Sequence, residues 1–148
     1  MKLLIFGLPG SGKSTLAEPL AKKLDGVWLN ADQVRKKYND WDFTIEGRMR
    51  QALRMKHLSE GIVMAGKVAV VDFICPTKEA RQLFEPDYTV WMDTIRSGRY
   101  DDTNKIFEKP EINTINYHVA KWFDDTPEQL EKVFQNFVQR QYEDSRYV

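Results

Sequence analysis

Cysteine and histidine are nearly missing from this chain: its 148 residues contain one Cys and two His. A lone thiol, Cys75, excludes an internal disulfide and a cysteine-based zinc site, and it suits a reducing compartment. His57 and His118 fall in no metal-ligand spacing. Charge of one sign is missing too, since 22 Lys and Arg balance 22 Asp and Glu to a formal net charge of zero. That balance speaks against a protein built for nucleic-acid backbones or anionic membranes. No apolar run reaches the roughly 20 residues of a membrane span; the stretch from Gly61 to Val71 is interrupted by Gly66 and Lys67. The N-terminal Met-Lys-Leu-Leu-Ile-Phe is too short for a signal peptide. Repeats and low-complexity tracts are absent. What is present is a hydrophobic share of 42% and an aromatic share of 12%, enough for a packed core. The expectation is a cytoplasmic protein with one domain spanning 1–148.

Strand and helix signals alternate along the chain. Lys2–Gly7 is a short apolar run that ends in glycine, as a buried parallel strand does. Leu16, Leu20 and Leu24 predict a helix from Lys13 to Leu24, interrupted by Pro19. Val27–Asn30 reads as a strand, and Asp32 as the cap of a brief helix toward Tyr38. Thr44 opens a long helix whose buried stripe is predicted at Leu53, Leu58, Ile62 and Ala65, with Gly66 closing it. Val68–Phe73 is the clearest strand; Lys78–Phe84 is predicted helical and Tyr88–Met92 extended. Thr94–Asn113 shows no period, and Ile115–Val119 suggests a last strand. Thr126, Pro127 and Gln129 announce a C-terminal helix through a capping box, with Leu130, Val133, Phe134, Phe137 and Val138 on one face. This order predicts an α/β, three-layer domain with a parallel sheet flanked by helices and right-handed crossovers.

Residues Gly7, Leu8, Pro9, Gly10, Ser11, Gly12, Lys13 and Ser14 match G-x-x-x-x-G-K-[ST] between an incoming strand and an outgoing helix. The glycines let backbone N–H groups curl around phosphate oxygens. Lys13 would bring its charge to the β- and γ-phosphates, Ser14 its hydroxyl to magnesium, and the helix start its partial positive charge. With Thr15 added, Gly7–Thr15 is the predicted ATP-binding stretch of a P-loop NTPase (nucleoside/nucleotide-kinase-like) domain. No Asn-Lys-x-Asp guanine-reading motif occurs, which points away from GTPases.

Further segments extend the pattern. Leu29-Asn30-Ala31-Asp32-Gln33-Val34-Arg35, Phe43-Thr44-Ile45-Glu46-Gly47-Arg48 followed by Gln51, and Val71-Asp72-Phe73-Ile74-Cys75-Pro76 followed by Arg81 together resemble the adenylylsulfate kinase (APS kinase) family across roughly the first 85 residues. The resemblance implies a kinase that moves the ATP γ-phosphoryl to the 3′-hydroxyl of adenosine 5′-phosphosulfate (APS), giving PAPS. By position, Lys13 and Asp32 would be catalytic, with Asp32 orienting magnesium or the attacking hydroxyl. Arg35 and Arg48 would hold the phosphosulfate, Phe43 would stack on the acceptor adenine, Gln51 would contact the acceptor, and Ile74 and Pro76 would line its pocket. The implied cofactor is Mg2+ with ATP, held by Ser14, Asp32 and Asp72; the oligomeric state is left open, a homodimer included. Independently of the family, Arg48 and Gln51 share a helix face, and arginine suits a bidentate grip on sulfate or phosphate.

Four departures stand out. Asn30 replaces the first acid of the family's D-G-D segment, and Cys75 replaces a serine. Asp72 also replaces a serine and ends an apolar strand, as a Walker B carboxylate does; of the two, Asp32 ranks first for the acceptor hydroxyl and Asp72 second. After Met92 the family's long covering segment is shortened, leaving Arg96, Arg99 and Lys105 as candidates for a small cationic lid. The alternatives are a P-loop kinase for another small acceptor (nucleoside, nucleotide or sugar) and a non-catalytic ATP-binding module.

Overall fold

The computed structural model describes residues 1–146. Five parallel strands form one sheet in the order β2-β3-β1-β4-β5, with β1 Lys2–Gly7, β2 Val27–Asn30, β3 Ala69–Phe73, β4 Tyr88–Met92 and β5 Tyr117–Val119. β1, β3 and β4 are buried along their whole length. This accounts for their continuous rather than alternating apolar character. Leu3 and Ile5 of β1 pack on one side, with Leu16 and Leu20 of α1 (Lys13–Lys23) and Leu130 and Phe134 of α6 (Thr126–Ser145). Leu4 and Phe6 face the other side, toward Val34 of α2 (Ala31–Tyr38), Ala52 and Met55 of α3 (Ile45–Met64), and Ala80 and Phe84 of α4 (Lys78–Phe84). The period-2 geometry of one central strand thus generates two cores and three layers.

Several local expectations are corrected. The cap of α2 is Asn30, whose side chain accepts from the Gln33 N–H at 3.0 Å, and not Asp32. β2 runs directly into α2, so the last strand residue takes the capping position. The inward face of α3 is Gly47, Gln51, Ala52, Met55 and Ser59, while Leu53 is exposed by 41%. Small and hydrogen-bonded residues bring α3 close to its neighbours, and the larger aliphatic Leu58 and Ile62 pack only at its margin. α1 continues through Pro19 to Lys23. The stretch without a period contains a six-residue helix, α5 (Asp101–Ile106), and a 3-10 turn at Ile112–Thr114. Asp125, one residue earlier than expected, is the N-cap of α6. The expected capping box does not form: the Thr126 hydroxyl accepts from the Phe123 N–H, and Gln129 donates to the Asp125 carboxylate. Val133 is largely exposed.

The loop before α3 is tightly specified. Asp42 accepts from the Thr44 N–H and hydroxyl at 2.9 and 2.6 Å, and Thr44 in turn caps Gly47 N–H at 3.2 Å. A Cβ at Gly47 would lie 2.2 Å from the Asp42 carbonyl oxygen. Gly47→Ala is therefore expected to lower stability by about 1–3 kcal/mol, the usual cost of overpacking. Urea denaturation of the two proteins, with Gly61→Ala as the open-site control, measures it.

Candidate active site

Both sides of β1 carry neighbours whose chains cross to opposite faces, so the carboxyl ends of β1, β3 and β4 frame the crevice where α/β sheets bind ligands. A cavity of about 790 Å³ opens there, within the size range of small-molecule sites. At one end the phosphate loop contributes Pro9, Gly10, Gly12, Lys13, Ser14 and Thr15; at the other lie Arg35, Phe43, Arg48 and Gln51. The same cavity is lined by Asp32, Asp72, Ile74, Pro76 and Arg99. Gly7, Leu8 and Ser11 are buried and do not line the cavity; nor do the exposed lid candidates Arg96 and Lys105. Sequence reasoning missed Trp41, Tyr100, Asp102 and Thr103, which line it as well. Trp41 sits two residues before Phe43; the other three lie in the stretch that had no periodic signal.

The loop end is prepared for an anion. Gly10 and Gly12 adopt φ of 86° and 97°, left-handed values that glycine takes without a Cβ clash. The Lys13 ammonium donates to the Leu8 carbonyl at 3.0 Å. Burial pushes its pKa down to about 8, and Asp72 and Asp32 only partly offset that effect. A cation held against its solvation preference favours an incoming negative charge. Asp72, at the end of β3, pairs in register with Ile5 of β1 and is 3% exposed. Burial raises its pKa, while N–H donors oppose the shift: the Trp28 indole and the Asn30 amide, the latter at 3.1 and 3.2 Å. Asn30 thus caps α2 with its oxygen and holds Asp72 with its nitrogen. Asp32, two residues after Asn30, is exposed and lines the cavity.

The opposite end is an arginine cluster. Arg35 is 5% exposed and donates to the Asp40 and Asp42 carbonyls at 2.9 and 3.1 Å. Its guanidinium lies 4.4 Å from the centre of the Phe43 ring, and that of Arg48 lies 5.3 Å from the same ring. Arg50 and Arg54 clamp Asp40 and hold its carboxyl well below the usual carboxylate range. Gln51 lines the cavity with its amide already engaged, donating to the Ala31 carbonyl at 3.2 Å and accepting from Arg54 at 2.9 Å. Arg81, noted in the sequence without a role, donates to the Cys75 and Glu108 carbonyls, each at 2.8 Å. It thereby ties Cys75, a cavity residue with φ of 43°, to the segment after α5. Burial pushes the Cys75 thiol far above its ordinary pKa, as expected for an inert core cysteine.

A P-loop at the head of a helix, a carboxylate near the tip of the adjacent strand and an arginine cluster share one cavity, the arrangement of the P-loop kinase class of folds. The sequence profile described as adenylylsulphate kinase matches residues 1–110. The chain belongs to the adenylylsulphate kinase family. An adenylyl-sulfate kinase of Thermodesulfovibrio yellowstonii is 38% identical over 82 residues, covering 51% of this chain and 41% of the relative. The bifunctional enzyme CysN/CysC of Xylella fastidiosa is 38% identical over 89 residues, covering 55% of this chain and 14% of the relative. The chain thus spans less than half the length of the curated relatives it matches. The fold resembles the Mycobacterium tuberculosis APS kinase CysC, solved with AMPPNP and APS, at a TM-score of 0.76 and 19% identity, over 90% of this chain and 96% of that one. It also resembles the shikimate kinase of Aquifex aeolicus at a TM-score of 0.62 and 18% identity, over 96% and 98% of the two chains. Among the described residues no helix is long and apolar enough to cross a membrane.

The depressed pKa of Lys13 makes a signed prediction. At pH 8.5, above that lowered value, a share of the free protein is expected to hold Lys13 neutral, and a polyphosphate beside it would restore the proton. ATP binding at that pH is expected to take up protons, and Lys13→Met is expected to abolish the uptake. Titration calorimetry in two buffers of different ionisation enthalpy reads the proton count directly.

Proposed function

We propose that the protein transfers the γ-phosphoryl group of ATP to the 3′-hydroxyl of adenosine 5′-phosphosulfate, forming PAPS and ADP. The observation that carries this reading is the single cavity that joins the phosphate loop to the Arg35–Phe43–Arg48 cluster. In this reading the loop amides and Lys13 cradle the triphosphate, and the α1 N-terminus adds positive potential. Arg35 and Arg48 grip the phosphosulfate while Phe43 offers its face to the acceptor base. Asp32, exposed and lining the same cavity, orients the acceptor hydroxyl. Catalysis then rests on positioning and charge stabilisation, as in phosphoryl transfer generally.

The residues present suit Mg2+. Ser14, Asp32 and Asp72 are oxygen donors on one cavity, the hard-ligand set this ion prefers. Ser14 and Asp32 would hold it. Asp72, already accepting from Trp28 and Asn30, would act through an intervening water. When bound, the ion neutralises charge on the β- and γ-phosphates. A cytoplasmic setting belongs to the same reading.

The test is incubation with Mg-ATP and a panel of APS, nucleosides, nucleoside monophosphates and sugars, with identification of the phosphorylated product. PAPS is the expected product; a phosphorylated sugar or nucleoside in its place would reassign the acceptor. Arg48→Ala is expected to lower kcat/KM for APS about 10- to 150-fold, the size of a charge-assisted hydrogen bond, at unchanged KM for ATP. If instead ATP weakens and APS does not, Arg48 serves the donor. Asp32→Asn is expected to lose most turnover with ATP binding intact, and Asp72→Asn less. The reverse order would transfer the leading role to the end of β3.

A further inference from the structure

Arg48 already has an anion beside it. Its Nε donates to the Phe43 carbonyl at 2.8 Å, and its second terminal nitrogen meets the Thr103 hydroxyl at 3.2 Å and the Asp102 carboxylate at 3.4 Å. These contacts differ in kind. The Phe43 carbonyl belongs to the entry of the same helix, and Thr103 is 3% exposed, so both are fixed supports. The Asp102 side chain is 70% exposed and that of Arg48 only 10%. A separation of 3.4 Å is long for a charged hydrogen bond, which typically measures about 2.7–2.9 Å, and the Asp102 carboxylate can swing into solvent while Thr103 and the Phe43 carbonyl keep Arg48 in place.

Asp102 is also where charge balance needs it. Burial pulls the Arg48 pKa down, and Asp102 is the first influence that opposes it. Among the described residues no other carboxylate lies within 4.0 Å of Arg48. Its neighbour Arg35 donates to backbone carbonyls and lies over Phe43, with no carboxylate partner among the described residues. A ligand entering this end of the cavity thus meets one guanidinium without a carboxylate partner and one that is already paired.

We propose that Asp102 is a displaceable stand-in anion for Arg48, a cavity carboxylate that sets acceptor affinity by competing with the acceptor's own anionic group for the guanidinium. The inference rests on the reading of Arg48 as an acceptor ligand. A neutral acceptor makes no claim on the guanidinium and leaves the pair in place. An anionic acceptor displaces the carboxylate and bears a small reduction in apparent affinity, because the open form is only part of the population.

The test compares wild type with Asp102→Asn and Asp101→Asn. Asp101 shares the first turn of α5 and its charge, and it makes no salt bridge to Arg48, so it controls for net charge and helix end. Asp102→Asn is expected to lower KM for APS about two- to fivefold, the effect of removing a long ion pair whose carboxylate faces solvent, with KM for ATP and Tm unchanged. Asp101→Asn is expected to leave all three as they are. A KM for APS that rises, stays the same, or falls equally in Asp101→Asn overturns the proposal. Asp102→Ser replaces Asp102→Asn should the latter lower Tm. Calorimetric titration with APS in the absence of ATP gives a second reading, with tighter binding expected in Asp102→Asn. A wild type that binds APS and forms no PAPS refutes the proposed reaction while the binding comparison still decides on Asp102. Failure of both proteins to bind APS refutes the proposal.

Discussion

The burial of β1 on both faces and its pairing on both edges govern the rest of the molecule. A strand in that position can leave the sheet only at its end, and the chain that leaves is the phosphate loop. Leu3 and Ile5 commit one face to α1 and α6, while Leu4 and Phe6 commit the other to α2, α3 and α4. The loop therefore rests on two cores at once. Its neighbours follow from register: Ile5 lies beside Asp72 and Gly7 beside Met92. The strand thus places the carboxylate on one side of the loop and the segment after β4 on the other.

The arginine end is organised by another logic, that of charges satisfying backbone. Arg35 spends its donors on the Asp40 and Asp42 carbonyls, and Arg50 and Arg54 hold the Asp40 carboxylate. These bonds set the path of a stretch without regular structure that carries Trp41 and Phe43. Such networks are effective where every member is matched. They explain how a loop rather than a helix or strand can present an aromatic face to the cavity.

This contrast explains what was legible in the sequence. The strands and the phosphate loop were readable because their signals are local: β-branched runs, glycines at fixed offsets and a lysine before a serine. The grouping of Arg35, Phe43, Arg48, Gln51, Ile74 and Pro76 came from family resemblance, and all six line the cavity. The face of α3 was misread because its inward line runs through Gly47, Gln51 and Ser59, residues that hydropathy places outside. α5 carried no signal, since its six residues have no apolar period. Thr103, Asn104 and Phe107 anchor this segment through contacts to Arg48, Gly98 and Phe6, all distant in sequence or outside any regular element. Asn30 looked like a weakened acid and proved to be a cap that also holds Asp72.

One contact of the segment after β4 carries a thermodynamic consequence. The Thr94 hydroxyl donates to the Ser11 carbonyl of the phosphate loop at 2.7 Å, and nine residues later Thr103 receives Arg48. A single short stretch of chain therefore touches both the phosphate loop and the arginine cluster. Whatever free energy a ligand at the loop spends or gains by shifting that stretch is felt at the arginines. Linkage requires the factor to be the same when measured from the other side. Occupancy of either end is then a property of the pair, and an affinity measured for one ligand alone describes half of a reciprocal quantity.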